Sequence, residues 1–234
     1  MTAQETRIPA QPAKTRPPAE PSPVPPPPHP TDAGTDGGPR TRVSALMRSL
    51  RFDGGGLALN LVATLGRRHG DPVERLDGLD RLAAWCDGVS VRLRDGEATE
   101  ALLAELRLLR EAAYDVASAD LRGTTPALTS VALVNECAHH ELPAPRLEPG
   151  TDGVFVARPA LTGRQLQSLV ARDLIALIAD PVRRADLREC DGPQCRMLYL
   201  DGTSGRRRRW CSMQRCGNSA KAARHRGRAT PGPA

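Results

Sequence analysis

Two pairs of cysteines with the same internal spacing lie near the C-terminus, Cys190 with Cys195 and Cys211 with Cys216. Four residues separate the members of each pair, and fifteen residues separate the two pairs. Each pair can form a turn that points two thiolates at one ion, and Zn²⁺ accepts four sulfur ligands in a tetrahedron. Four protein ligands leave no open coordination position. The spacing therefore predicts one structural zinc ion and no catalytic metal.

An iron–sulfur cluster, redox-active thiols and two disulfides are alternatives that also use four cysteines. The flanks of both pairs are basic and hydrophilic, which favours a zinc module. The sequence has no apolar run near the roughly 18 residues of a membrane span, and its N-terminus lacks the pattern of a secretory signal. We therefore expect a cytoplasmic protein, and in that reducing compartment clustered cysteines bind metal more often than they form disulfides.

Positive charge is concentrated around the cysteines. From Cys190 to the C-terminus there are ten Lys and Arg residues against Asp191 and Asp201, a net charge of +8, whereas the whole chain carries +6. Four thiolates and one Zn²⁺ carry a charge of −2, which this surplus far exceeds. A basic segment beside a near-neutral body indicates a polyanionic partner, most often nucleic acid, and the partner we expect is DNA. The candidate contacts are Arg206, Arg207, Arg208, Arg209, Arg215, Asn218, Lys221, Arg224 and Arg226.

Two other uses of this basic module remain open. It can bind RNA, or it can dock an acidic protein partner such as part of the transcription machinery. For the DNA-binding alternative, we expect the protein to associate with the nucleoid.

The rest of the chain divides into a tail and a mainly helical domain. Residues 1–42 are rich in proline and poor in large apolar residues, so we expect a disordered tail. Residues 43–181 show helical periodicity. We expect helices after Gly54–Gly56 through Leu65 with Gly66 at the exit, around Leu79 to Trp85, over 97–117, from Thr125-Pro126 as N-cap and first-turn proline, and from a cap at Thr162 to the residue before Pro181. The segments 143–148 and 154–158 flank Pro149 to Gly153 and predict a β-hairpin with a long turn.

The finger is expected over 186–227, followed by a disordered tail over 228–234. Met197 to Leu200 predicts a strand, and Asn218 is a candidate N-cap for a basic helix. Trp210 is expected to pack in the small core of the finger. The predicted fold class is mainly α with a small β-hairpin, with a helical domain before a zinc-ribbon or treble-clef-like four-cysteine finger.

The C-terminal module resembles the CGNR zinc finger family. The stretches that carry the resemblance are Cys190 to Cys195, Tyr199-Leu200-Asp201 and Arg208 to Lys221. Ser219 stands where the family motif has arginine. The stretch Phe52 to Leu65, followed by Leu79 to Trp85, resembles the stress-induced transcription regulator domain that is usually joined to this finger. The resemblance implies a bacterial DNA-binding regulator whose helical domain senses a signal or mediates assembly.

The sequence offers little support for an enzyme. Gly54–Gly56 precedes a helix but lacks the strand and the Lys-Ser/Thr of a phosphate-binding loop. Cys86 and Cys137 lie on predicted helices and are interpreted as small buried hydrophobic residues. We therefore expect a non-enzymatic regulator. A small-molecule effector on the helical domain and formation of oligomers remain open.

Overall fold

The computed structural model of the protein describes residues 45–151, 153–203, 205 and 207–229. For residues 46, 47 and 224–229, it describes the backbone alone. The predicted tail over 1–42 lies outside the described residues, as does 230–234 of the predicted C-terminal tail. Residues 228 and 229, which we expected in that tail, continue the last helix.

The described chain is mainly helical, as predicted, with three short antiparallel strand pairs. The helices are α1 (Ala45–Arg48), α2 (Leu57–Val62), α3 (Leu79–Gly88), α4 (Glu100–Arg122), α5 (Leu128–Ala138), α6 (Gly163–Ala179), α7 (Pro181–Arg184) and α8 (Asn218–Ala229). The strand pairs are β1 (Leu65–Gly66) with β2 (Val73–Glu74), β3 (Arg146–Gly150) with β4 (Gly153–Ala157), and β5 (Leu187–Glu189) with β6 (Leu198–Leu200).

The main core lies where α2, α4, α5 and α6 pack together. Helix α4 begins at Thr99, whose side chain accepts a hydrogen bond from the Leu102 N–H, and ends at Gly123 in the left-handed conformation. Helix α6 begins with a capping box between Thr162 and Gln165 and stops before Pro181, as predicted. The apolar faces of both helices are buried, with Leu103, Leu106, Leu109, Leu166, Leu174 and Leu177 at most 1% exposed.

The helix predicted over 97–117 is present as α4, but it spans Glu100–Arg122 because Thr99 and Gly123 cap it. Two further predicted helix boundaries are also wrong. Helix α5 begins at Leu128 and not at Thr125-Pro126, because the carboxylate of Asp115 on α4 accepts the Ala127 N–H at 2.8 Å and sets the entry point from outside the segment. Helix α2 ends at Val62 and does not reach Leu65, because Leu65 pairs with Glu74 across β1 and β2. In both cases the boundary is set by a residue distant in sequence.

The predicted hairpin is present, but its turn is shorter than expected. Gly150 pairs with Gly153, so two residues connect β3 and β4 and Pro149 lies inside a strand. The predicted strand after the first cysteine pair is also present, as β6, and pairs with β5.

The finger packs directly against the helical region. Leu187 of β5 and Leu198 of β6 are fully buried in the main core, and Ala63 at the end of α2 is buried among the finger cysteines. The Leu200 N–H also donates to the Gly54 carbonyl at 2.9 Å. The described residues of the helical region and the finger accordingly form one compact unit. The metal site therefore packs against the helical core and is not a separately folded module.

Candidate metal centre and basic surface

The four cysteines predicted from the spacing meet at one point. The sulfur atoms of Cys190, Cys195, Cys211 and Cys216 all lie within 4.8 Å of one another. The Sγ of Cys211 lies 3.6 Å from those of Cys195 and Cys216. Four sulfurs at about 2.3 Å from a central ion in a tetrahedron would be separated by about 3.8 Å. The cluster therefore fits one zinc ion with four thiolate ligands, and bound zinc would hold the two cysteine turns together.

The backbone of the first cysteine pair is arranged around the Cys190 sulfur. The N–H groups of Gly192 and Cys211 both point at this sulfur at 3.4 Å. A Cβ added at Gly192 would lie 3.0 Å from the Cβ of Cys195 and 3.3 Å from the Sγ of Cys216. Gly192 is therefore needed because a side chain would occupy the space that brings the two pairs together.

Cys216 of the second pair lies in a π-helical turn over Met213–Gly217 that follows Cys211 and continues into α8. The Cys216 N–H donates to the Ser212 carbonyl at 3.0 Å, which closes this turn. The prediction of Asn218 as an N-cap is wrong, because Asn218 has helical backbone angles and follows residues already in helical conformation. Helix α8 therefore begins directly after the turn that contains the ligand Cys216.

A buried arginine from the helical region contacts the sulfur cluster. Nη1 of Arg51, a residue only 5% exposed, lies 3.1 Å from the Sγ of Cys211, and its Nη2 donates to the Cys211 carbonyl at 3.3 Å. The same guanidinium donates from Nε to Asp53 at 2.9 Å. Sequence reasoning missed Arg51, because nothing in the local pattern indicates a partner 160 residues away.

Electrostatics couples this arginine to the cysteines. Burial alone would lower the pKa of Arg51, but its hydrogen bond to Asp53 and the nearby Cys211 outweigh burial and raise it. Hydrogen bonds from Cys190, Cys195 and Cys216, together with the charge of Arg51, hold the pKa of the Cys211 thiol well below its usual value. The surroundings of Cys211 therefore favour its thiolate, the form that binds metal, whereas hydrogen bonds with the neighbouring cysteines raise the pKa of Cys195 and Cys216.

Two more arginines are positioned close to this charge. Burial, with the neighbouring Arg215 and Arg51, lowers the pKa of Arg75 to about 10. Arg75 is 4% exposed and donates from Nη1 to the Ala63 carbonyl at 2.8 Å, and Arg215 donates to the Ser49 hydroxyl. Arg51, Arg75 and Arg215 contribute +3 and Asp53 contributes −1, which together balance the −2 of a zinc tetrathiolate. The helical region supplies two of these three arginines.

Asp201 organises the arginine-rich loop that follows β6. One carboxylate oxygen accepts the Thr203 hydroxyl at 2.6 Å and the other accepts the Arg208 N–H at 2.9 Å. The hydrogen bonds from Thr203 and then from Arg208 lower the pKa of Asp201. Asp201 thereby joins the two ends of the loop.

The predicted nucleic-acid contacts fall into two groups in the structure. Arg208 is directed inward: its guanidinium lies 4.8 Å from the centre of the Tyr199 ring and donates to the carbonyls of Trp210 and Cys211. Arg215 is half-buried beside Ser49. The residues of the second group are exposed, namely Arg207, Arg209, Asn218 and Lys221. Arg209 pairs with Asp191 at 2.7 Å and lies over the half-buried Trp210 ring, which packs in the finger core as expected.

Three of the predicted contacts have undescribed side chains. Arg206 lies outside the described residues, and Arg224 and Arg226 are described by backbone alone, within α8. Ser219, which replaces the motif arginine, is exposed on the same helix. Cys86 and Cys137 are 4% and 5% exposed in the main core, which agrees with their interpretation as buried hydrophobic residues.

A closed four-thiolate cluster at the junction of two short strands and a helix defines a protein with a structural zinc finger. Two family profiles match the chain: ABATE, described as "Putative stress-induced transcription regulator", over residues 55–181, and the CGNR zinc finger over residues 187–229. The first covers more than half of the 234 residues, so the chain belongs to this regulator family. The second shows that the four cysteines are those of a CGNR finger with one zinc site. No curated protein matches the chain.

These findings confirm the expected family, fold class and zinc cofactor, and they make the protein a zinc-binding regulator. The families matched are regulatory and zinc-finger families and not enzyme families. Within the described ranges, no helix has both the length and the apolar character required to cross a membrane.

Proposed function

We propose that this chain is a bacterial DNA-binding transcription regulator of the cytoplasm that associates with the nucleoid. Zinc stabilises the finger, and exposed cationic side chains of the finger contact DNA phosphates. The observation that supports this proposal most directly is the difference in exposure among the basic residues of the finger. Arg208 and Arg215 donate hydrogen bonds within the protein, whereas Arg207, Arg209 and Lys221 are exposed.

The exposed charge lies on two elements that leave the metal site. Arg207 and Arg209 belong to the loop held by Asp201, and Arg209 is paired with the exposed Asp191, a surface ion pair that a phosphate can replace at little cost. Helix α8 contains Lys221, Arg224 and Arg226 and no acidic residue. Guanidinium and ammonium groups at such positions can bind phosphate oxygens. We include Arg206 and Asn218 in the proposed contact set.

We further propose that the helical region over 43–181 mediates assembly or receives a signal, and that the finger over 186–227 reads DNA. A surface cleft of about 710 Å³ next to α3 offers a place for an effector and is lined by residues that include Cys86, Val91, Leu93 and Ala160. The thermal shift of the full-length zinc-loaded protein across a metabolite panel tests this part. Stabilisation that a bulky substitution at the exposed cleft residue Ala83 abolishes would support an effector site there, and a flat response would leave assembly as the role.

The DNA-binding proposal is tested by selecting bound sequences from random duplexes and measuring affinity as a function of salt. We expect binding to weaken with salt, and we expect R207A with K221A to reduce the slope of log K against log [salt] by about 2, since each phosphate contact contributes roughly 0.9. The matched control is R164A, which removes an exposed arginine of α6.

The competing outcomes are distinct. If the wild-type protein fails to bind duplexes at low salt, the DNA-binding proposal is wrong. Retention of an acidic protein partner after nuclease treatment would instead favour a protein-docking finger, and preference for single-stranded or A-form RNA would favour an RNA-binding one.

A further inference from the structure

The β3–β4 hairpin places apolar side chains in water. Leu147 is 74% exposed, and Val154, Phe155 and Val156 in β4 are 69%, 51% and 54% exposed. An isolated two-stranded ribbon is marginally stable in water and is stabilised when further strands or a packing partner are added. These exposed apolar residues therefore point to an association surface.

The base of the hairpin is held in place by the helical region. Leu161, which follows β4, is 8% exposed and bridges to Leu93. The Leu161 N–H donates to the Arg92 carbonyl and its carbonyl accepts the Arg94 N–H, both at 2.8 Å. The hairpin is thus anchored at one end while its strands remain exposed.

The strand register determines which backbone groups lie on the outer edges. Gly150 pairs with Gly153 across a two-residue connection, and Phe155 pairs with Glu148. The closing pair of such a hairpin is hydrogen bonded, and bonded pairs alternate with non-bonded pairs along the strands. Phe155 therefore bonds inward to Glu148, and the backbone N–H and C=O groups of Val154 and Val156 face away from β3.

The two outer edges differ in their capacity to pair. The outer edge of β3 contains Pro149, which has no N–H, and the strand carries the charges of Arg146 and Glu148. Proline and charged residues are the usual means by which edge strands avoid pairing. Strand β4 has neither a charge nor a proline. The edge that can accept another strand is therefore that of β4.

We propose that β4 pairs antiparallel with β4 of a second copy of this chain, about a two-fold axis at Phe155. The segment Val154-Phe155-Val156 reads the same in both directions, so this arrangement places Val154 opposite Val156 of the second copy and Phe155 opposite its equivalent. The outward N–H and C=O groups of Val154 and Val156 then bond to each other across the axis, which joins two hairpins into one four-stranded sheet. A two-fold axis is the commonest symmetry of homodimers, and it presents two fingers to DNA.

The oligomeric state of the full-length, zinc-loaded protein tests the proposal. Sedimentation equilibrium should show a monomer–dimer equilibrium for the wild type. V156P removes one outward N–H from a position that makes no bond within the hairpin, so we expect it to raise the dissociation constant by at least about tenfold. V154K with V156K tests the same edge while keeping every backbone group, in case V156P perturbs the strand.

The matched control is L147K, which removes an apolar side chain from the same face of the hairpin but from the other strand. We expect L147K to dimerise like the wild type. If L147K weakens the dimer as much as V154K with V156K, the association uses the apolar face and edge pairing is wrong. A wild type that is monomeric at every concentration, or a hairpin that pairs only with a strand of a different protein, would also overturn the proposal.

The register has its own test. Directly opposed residues of a non-hydrogen-bonded pair are about 4.5 Å apart at Cα, a distance that a disulfide can span. Under mild oxidation F155C should therefore form a disulfide-linked dimer that reducing agent dissolves, whereas L147C should not. Equal cross-linking of the two variants would contradict the proposed axis.

Discussion

Nη1 of Arg51 lies 3.1 Å from the Sγ of Cys211 and connects the segment before α2 with the second cysteine pair. Arg51 is buried and also bound to Asp53, so its charge cannot turn to solvent without breaking both contacts. A zinc tetrathiolate carries a charge of −2, and buried charge of that size requires compensation. The helical region therefore contributes to the electrostatics of the metal site.

Replacement of Arg51 by glutamine should accelerate loss of zinc. Outer-shell partners of metal ligands typically change metal affinity by about 10- to 100-fold, so we expect at least about tenfold faster transfer of zinc to a colorimetric chelator from R51Q. R209Q is the matched control, because Arg209 is exposed and paired with Asp191 on the surface. Equal release rates for R51Q and R209Q would show that Arg51 does not support the site.

Removal of zinc should loosen the helical core as well as the finger. Leu187 and Leu198 of the finger strands are buried in the main core, so loss of the finger exposes apolar area there. The two tryptophans report on the two parts, since Trp85 is buried in the main core and Trp210 packs in the finger core. In a W210F background, we expect chelation to shift the fluorescence of Trp85 toward that of the unfolded chain. A Trp85 signal that is unaffected by chelation would instead indicate an autonomous helical domain.

The loop held by Asp201 should depend on a carboxylate. The pKa of Asp201 is lowered by the hydrogen bonds from Thr203 and Arg208, so its contribution to stability is present above the ordinary pKa of aspartate. That contribution is lost as the pH falls through the lowered pKa. We expect D201N to lower the thermal midpoint at neutral pH, and we expect the difference between D201N and the wild type to shrink in acid. A difference between D201N and the wild type that is independent of pH would mean that the ionised form of Asp201 does not account for the effect.

Neighbouring arginines of the loop should have different effects. Arg208 lies over the Tyr199 ring and donates to backbone carbonyls, so R208A should reduce the stability of the zinc-loaded protein by about 1–3 kcal/mol. Arg207 is exposed, so R207A should stay within about 0.5 kcal/mol of the wild type. Urea unfolding monitored by circular dichroism measures both. Equal free energies of unfolding for the two variants would show that the contacts of the Arg208 side chain do not contribute to stability.

Gly192 should tolerate no side chain. An added Cβ would lie 3.0 Å from the Cβ of Cys195, so G192A should cost about 1–3 kcal/mol and weaken zinc binding. Gly202 provides the control, because a Cβ there meets nothing within 4 Å. Competition for zinc against a chelator of known affinity should separate the two variants, and similar affinities would show that the cysteine turn can relax around an alanine.

Much of the secondary structure could be predicted from the chain. Helices α4 and α6 follow from their leucine periodicity, and α6 also from the cap at Thr162, because these signals act over one or two turns. The ends of α2 and α5 could not be predicted, because Glu74 and Asp115 determine them from other parts of the chain. The N-cap interpretation of Asn218 was wrong because the π-helical turn over Met213–Gly217 already brings the chain into helical conformation before Asn218.

The sequence by itself predicted the zinc ligands, because the spacing of four cysteines encodes a closed tetrahedral site within a short segment. The residues around those cysteines carried the resemblance to the family. The sequence also placed the surplus positive charge in the finger. Only the tertiary structure decided how that charge is used, which arginines are buried beside the sulfurs and which are left exposed. Arg51 and Cys211 meet because the helical core and the finger pack as one unit, and local pattern carries no information about contacts formed by packing across 160 residues.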